Sequence, residues 1–285
     1  MIRKDRRKRM KVGILTYHRS NNVGAVLQNY ALQQVLNKYG VENETIDYKC
    51  DFIEQNNRIL FGKNLKANLK KLIELNRLIK REHKFKEFRK KYLLISPKVY
   101  SQSSIQNSNE IYDLFISGSD QVWNMKLNRE DYNYFLKFVK DDSKKIAYAA
   151  SFGYSVIPNE YEENTLNYLN KFKYISVREK QSKELLANYN IKSDVVLDPT
   201  LLLDSNKWEK IIKNLNIKKK FIFIYMVAYT PEILNDAIKY GKKNNYDVYC
   251  MHYNYKNFNN VKNVRSVSPD EFLYYIKNAE IVFCS

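Results

Sequence analysis

Short apolar runs bounded by polar loops, alternating with stretches of helical spacing, set the pattern of this chain. The run Lys11–Tyr17 is apolar in its middle and reads as a strand. A polar loop over 18–24 follows it. Leu27, Ala31, Leu32, Val35 and Leu36 then recur on one broad face, as a buried helix requires. Gly40 is placed to end that helix, and Glu44–Tyr48 reads as a second strand. Strand, loop, helix, glycine and strand in this order make a βαβ unit.

Residues 63–92 read as one basic helix, with twelve Lys or Arg against three Glu. Leu65, Leu69, Leu72 and Ile73 form an apolar stripe along it. A solvated helix packed on its domain is the plain reading of this segment. A surface that rests on anionic lipid is the sharper one.

From residue 111 the α/β rhythm returns. Strands are expected at Leu114–Ser117, Ile146–Phe152, Tyr174–Val177 and Val195–Leu197, with helices around 160–171 and 179–189. The segment Asp198-Pro199-Thr200 breaks the pattern, because proline disfavours helix in the residue before it. After Trp208 the continuous apolar run Phe221–Val227 marks a strand buried on both faces. Pro231 suits the first turn of a helix running to Gly241. Strands at Asp247–His252 and, as an edge, Val261–Val267 come next. Ser268 and Glu271 then form a capping box, and Ile281–Cys284 opens one more strand. The expected organisation is α/β with two Rossmann-like domains. A basic tail at 1–9 precedes the first, 10–206, which carries a basic helical insertion at about 58–95. The second, 207–285, is expected to be incomplete.

Composition narrows the picture. Hydrophobic residues make up 44% of the chain, enough for a real core. No stretch approaches ~18 consecutive apolar residues, so no spanning helix is expected. The basic run Arg3–Arg9 is followed by an apolar segment too short for a signal peptide, and the chain reads as cytoplasmic. Cys50, Cys250 and Cys284 lie far apart with no CxxC and no nearby histidine pair. They are expected as buried thiols at strand ends, with neither a metal site nor a disulfide framework. The net charge of +18 suits anionic partners, yet the abundance of Lys, Asn, Tyr and Ile also follows from A/T-rich codons. No RNP-like aromatic motif, zinc finger or helix-turn-helix signature is present, so nucleic acid is not an expected partner.

Ligands of open α/β sheets bind beyond the carboxyl ends of the strands, which directs attention to the polar residues there. His18, Asn22 and Gly24 follow the first strand. Gly118, Ser119, Asp120, Gln121 and Trp123 follow the strand ending at Ser117, and Ser151 with Gly153 follows the next. Arg178 and Asp198 close the series. Arg178 ends a strand where a helix begins, and its guanidinium matches a phosphate or carboxylate. An ion pair with Glu179 is the alternative. Asp120 reads equally as a general base or as a turn cap. His18 is a loop histidine with no local partner, a candidate for catalysis. Trp123 either packs its loop or stacks on a sugar. Neither GxGxxG nor a Walker pattern is present.

Five stretches together carry a family resemblance: Gly13–Tyr17 with Asn22–Gln28, Phe115–Asn124, Ala147–Gly153, Ile175–Glu179, and Leu197–Leu203. In this order they resemble the polysaccharide pyruvyl transferase family over nearly the whole chain. The blocks Gly118-Ser-Asp-Gln-Val-Trp123 and Ala150-Ser-Phe-Gly153 are the most specific. The resemblance implies two domains like those of the B-type glycosyltransferases. It also implies transfer of a pyruvyl group from phosphoenolpyruvate to two hydroxyls of a sugar in a surface polysaccharide or its lipid-linked precursor. No cofactor is implied, and phosphoenolpyruvate is the donor substrate.

By that resemblance Arg178, with Asn22, Gly24, Gly118 and Ser119, holds the donor. Asp120 and His18 are the catalytic candidates, and Gln121, Trp123, Ser151 and Asp198 serve the acceptor or the loops. No metal ligand is assigned. A peripheral contact with the inner face of the cell membrane fits the lipid-linked acceptor. Family members continue past Asn278-Ala279 into a loop with a serine and a histidine, whereas this sequence stops at Ser285. A product ending there is expected to transfer little, since losing a general acid costs ~10²–10⁴ in rate. The other readings are a nucleotide-sugar glycosyltransferase on the same scaffold and a non-catalytic remnant.

Overall fold

The expected first strand forms as β1 (Lys11–Leu15), and it is an interior strand of a parallel sheet. The computed structural model describes residues 10–50, 52–53, 65–252 and 256–285, with side chains throughout these except at 65–74. The tail at 1–9 and the side chains of Leu65, Leu69, Leu72 and Ile73 lie outside the described residues. Gly13 lets β1 lie close to its neighbours, because a Cβ there would stand 2.9 Å from both Ile46 and Tyr112.

Helix α1 (Val23–Lys38) follows, then β2 (Glu42–Tyr48), α2 (Leu65–Tyr92), β3 (Ile95–Tyr100), β4 (Leu114–Ser117) and β5 (Lys145–Ala150). Next come α3 (Asn159–Leu169), β6 (Tyr174–Val177), α4 (Lys180–Ala187) and β7 (Asp194–Val195). These strands form a seven-stranded sheet in the order β3-β2-β1-β4-β5-β6-β7, every pair parallel. Helix α1 buries polar residues as well as the expected apolar stripe. Gln33 Nε2 donates to Thr45 Oγ1 at 3.0 Å, and Thr45 Oγ1 donates to Asn29 Oδ1 at 2.9 Å. Gly40 takes φ +72° just beyond the helix, the left-handed conformation its position called for.

The second sheet contains β8 (Phe221–Met226), β9 (Asp247–His252), β10 (Lys262–Asn263) and β11 (Ile281–Cys284). Its order is β10-β9-β8-β11, again parallel. Helices α5 (Pro231–Asn244) and α6 (Pro269–Asn278) connect these strands. Ser268 N–H donates to Glu271 Oε2 at 3.1 Å at the start of α6, in the expected capping box.

Contacts divide the chain into one unit of Met1–Arg58 with Arg89–Asp204 and another of Ile59–Phe88 with Ser205–Ser285. The basic segment, which interrupts the first unit in sequence, groups by its contacts with the second. Buried Glu271 supplies a reason, since Lys84 Nζ donates to it at 2.6 Å and Lys213 Nζ at 2.8 Å.

Four further details differ from the sequence reading. Strand β3 was not expected, because Pro97 and Lys98 interrupt its apolar pattern in the way an edge strand tolerates. The edge expected at Val261–Val267 is only the two-residue β10. Helix α5 continues past Gly241 to Asn244 and is capped by left-handed Asn245 at φ +56°. Gly241 is instead a packing residue, since a Cβ there would lie 2.6 Å from Val248 Cγ2. Cys50 and Cys250 are buried as expected, but Cys284 is exposed, and all three are free thiols. Among the described residues no helix is long and apolar enough to cross a membrane.

Candidate active site

Strand order in the first sheet reverses between β1 and β4, so the sheet's natural ligand crevice lies beyond their carboxyl ends. Hydrogen bonds tie the two loops there. Thr16 Oγ1 donates to Ser119 O at 2.9 Å, and Gln28 Nε2 of α1 donates to Thr16 Oγ1 at 2.9 Å. Tyr17 Oη donates to Gln121 O at 3.0 Å. Gly118 fits where a Cβ would approach Thr16 Cβ to 3.1 Å.

Asp198 draws the far side of the crevice together. Its Oδ1 accepts from Thr200 N at 2.9 Å and Thr200 Oγ1 at 2.7 Å. Its Oδ2 accepts from Ser119 Oγ at 2.8 Å and from Arg178 Nη1 at 3.4 Å. Arg178 also places Nε 3.5 Å from Glu179 Oε2, with its side chain 30% exposed. Both ion pairs are long, so the guanidinium is only loosely committed to its protein partners.

Asp120 is the most unusual residue of the group. It adopts φ +95°, a backbone conformation that side-chain-bearing residues rarely take. Beside it, the β5–β6 register shifts between Ala147 and Ala150, and Ala149 takes φ +53°. Asp120 and Ala150 form an isolated parallel bridge, and Ser151 N donates to Asp120 O at 3.0 Å. A bulge and two left-handed residues therefore meet at the mouth of the crevice, the kind of local strain that gathers at functional sites. Burial pushes the Asp120 carboxyl above the usual carboxylate range. The Gln121 N–H at 2.8 Å and the Arg178 charge oppose that shift, and the Asp198 charge adds to it. A carboxyl whose proton is held more tightly than usual is the kind of group that serves as a general acid.

The remaining sequence candidates fall into other places. His18 is a correction: its ring is 1% exposed and partnered on both nitrogens. Nε2 lies 2.9 Å from Asp47 Oδ1 and Nδ1 3.2 Å from Thr16 O, so neither is turned to a substrate. Arg19 Nε donates to the same Asp47 oxygen at 2.7 Å. Burial alone would raise the Asp47 carboxyl, but the hydrogen bonds and charges of His18 and Arg19 prevail and hold it at about 2. Of the two readings of Trp123, the structure shows the packing one. It is fully buried, stacked on Phe135 at 5.5 Å and packed against Phe152 at 5.1 Å. Ser151 is buried and its Oγ accepts from Gly153 N at 3.2 Å. Asn22 caps α1 by accepting from Ala25 N at 3.1 Å, and Gly24 is exposed in the first turn.

Sequence reasoning missed Thr16, Asp47, Ala149 and Arg89. Arg89 is buried and donates to Asn21 Oδ1 at 3.2 Å, holding the loop after β1. Polar residues at strand ends were the available signal for Thr16 and Asp47. Nothing in the local sequence marks Ala149. Among the described residues no three His, Cys, Asp or Glu side chains are grouped to hold a metal ion.

A family model described as polysaccharide pyruvyl transferase matches residues 22–285. The chain belongs to that family. In this pyruvyl transferase family member the match takes in Ser119, Asp120, Arg178 and Asp198, while Thr16 and His18 precede it. No curated protein matches the sequence. Among solved structures the chain is similar to a putative UDP-N-acetylglucosamine 2-epimerase from Listeria monocytogenes. That likeness has 11% identity and a TM-score of 0.49, and covers 97% of this chain and 74% of that one. It is also similar to the UDP-GlcNAc 2-epimerase of Methanocaldococcus jannaschii, at 12% identity and a TM-score of 0.45, over 96% of this chain and 78% of that one.

Proposed function

We propose that this family member moves the pyruvyl group of phosphoenolpyruvate onto two hydroxyls of one sugar residue, forming a cyclic ketal and releasing phosphate. The acceptor is a sugar of a surface polysaccharide or of its lipid-linked precursor. The work is cytoplasmic, at the inner face of the membrane, and the exposed Lys80 and Lys86 of α2 suit a contact with anionic lipid. The observation that carries the chemistry is geometric: Asp120, at φ +95°, follows Ser119, which donates to Asp198, the carboxylate that also accepts from Arg178.

Arg178 holds the donor's phosphate or carboxylate, for which a guanidinium fork is suited. Ser119, Gly118 and the first turn of α1 at Asn22 and Gly24 line the donor's approach. Asp120 gives its proton to the methylene carbon, which becomes the methyl group. The adjacent carbon turns electrophilic, and the first sugar hydroxyl adds to it as its own proton leaves. The C–O bond to phosphate then breaks, and the second hydroxyl closes the ketal. Two hydroxyl protons are released in all; one restores Asp120 and the other leaves with phosphate.

The test is phosphate release from phosphoenolpyruvate in the presence of a glycan acceptor, with the product's new methyl group followed by NMR. Phosphoenolpyruvate raising the melting temperature while UDP-sugars do not is the expected binding result. The reverse result, stabilisation by a nucleotide sugar alone, would replace pyruvyl transfer with glycosyl transfer.

A further inference from the structure

Parallel sheets normally bury both faces, and one face of the first sheet is only half covered. Helices α3 and α4 pack Leu169, Leu185 and Leu186 into the main core on one side. On the other side α1 places Leu32 over Val12, Ile14 and Ile116, leaving Ile146 and Tyr148 of β5 partly buried at the margin. Beyond α1 runs a groove of about 1020 Å³ over β5, β6 and β7. Its apolar wall comes from Val35 and Leu36 of α1 and its sheet side from Ile146, Tyr148, Tyr174 and Val196. Tyr39 and Tyr174 at its border are 75% and 67% exposed.

Two polar features give the groove a direction. Lys38, Lys173 and Lys192, all exposed, line it against a single carboxylate, Asp194. Ser193, 6% exposed, also lines it, and its hydroxyl has no hydrogen-bond partner in the protein. An apolar trough with three cations on its rim complements a molecule that has a hydrocarbon chain and an anionic head. Asp120, Arg178 and Asp198 are not among its lining residues, so the groove is separate from the transfer site.

We infer that this groove binds an anionic amphiphile, its apolar chain lying against α1 and β5–β7 and its head against Lys38, Lys173 and Lys192. The inference does not rest on pyruvyl transfer. The protein is titrated with 11-(dansylamino)undecanoate, whose fluorescence rises in an apolar site, and with the uncharged methyl ester of the same probe. Saturable binding of the anion is expected, with the ester at least about tenfold weaker. Charge reversal at the three exposed lysines (Lys38→Glu, Lys173→Glu, Lys192→Glu) is expected to weaken the anion by about tenfold or more with an unchanged melting temperature. Leu36→Trp should block both probes by filling the trough. Equal affinity for anion and ester, or unchanged binding in the lysine variant, would overturn the inference. So would a dimer in solution that buries Tyr174 and excludes the probe, because the groove would then belong to a second copy.

Discussion

Asp120 offers a test in which glycine and alanine should reverse their ordinary order. Its φ of +95° is costly for any residue with a Cβ, by about 1–3 kcal/mol for such sparsely populated conformations. Asp120→Gly removes that strain, whereas Asp120→Ala keeps it. Both variants lose the same carboxyl, and with it the bond from Gln121 N–H, so that loss cancels between them. Glycine carries an opposing penalty of about 0.4–1 kcal/mol through its freer unfolded chain. The balance leaves Asp120→Gly more stable than Asp120→Ala by about 1 kcal/mol. In a domain of this size that corresponds to a melting temperature about 2–4 °C higher, readable by calorimetry of the two variants side by side. Phosphate release from phosphoenolpyruvate should fall by about 10²–10⁴ in both. Alanine melting at or above glycine would show that the backbone at Asp120 is not strained. Retained turnover in either variant would remove the carboxyl from the chemistry.

Other substitutions probe the surroundings. Asp47, held at about 2 against 3.8 for a free carboxyl, contributes about 2 kcal/mol. That stability is present above pH 3.8 and is lost as pH falls toward 2. Urea titrations of Asp47→Asn and wild type should therefore differ at pH 7 and converge near pH 2; a constant gap would refute the assignment. Arg178→Lys keeps the charge but loses the fork, and should raise KM for phosphoenolpyruvate by about tenfold or more without altering the melting temperature. Equal KM would release Arg178 from donor binding. Gly241→Ala drives a Cβ to 2.6 Å from Val248 Cγ2 and should destabilise the second unit by about 1–3 kcal/mol, seen as a lower melting temperature. An unchanged melting temperature would mean that α5 shifts freely.

What the sequence disclosed follows from the range of the interaction concerned. Leu114–Ser117, Tyr174–Val177, Asp247–His252 and Ile281–Cys284 were readable to the residue, because each is a short run rich in β-formers between punctuating polar residues. Strand β3 escaped because Pro97 and Lys98 break its pattern, and only pairing with β2 makes it a strand. Gly241 looked like a helix stop because glycine's conformational role is visible locally, while its contact with Val248 is tertiary. At the site, Asp120, Arg178 and Asp198 were legible as strand-end residues in a parallel sheet. The burial of His18 against Asp47 was not, since the partner lies 29 residues away on another strand. The positive φ of Ala149 has no signature in its residue type at all.

The division of labour between the two aspartates follows from how many donors each already holds. Asp198 accepts from Thr200 twice, from Ser119 and from Arg178, so both its oxygens are occupied. Such a carboxylate is an anchor: it fixes the loop after β7 to the loop after β4 and gives Arg178 a partner. Asp120 accepts one hydrogen bond from the adjacent N–H and is otherwise surrounded by burial and a second negative charge. The charge of Asp198 therefore pushes the Asp120 carboxyl up, while Arg178 opposes that shift. In the proposed reaction, an anionic donor held at Arg178 would neutralise the cation that lowers the Asp120 carboxyl and would add negative charge of its own. Both changes would push the carboxyl further up, in the direction that favours the proton the proposed first step consumes.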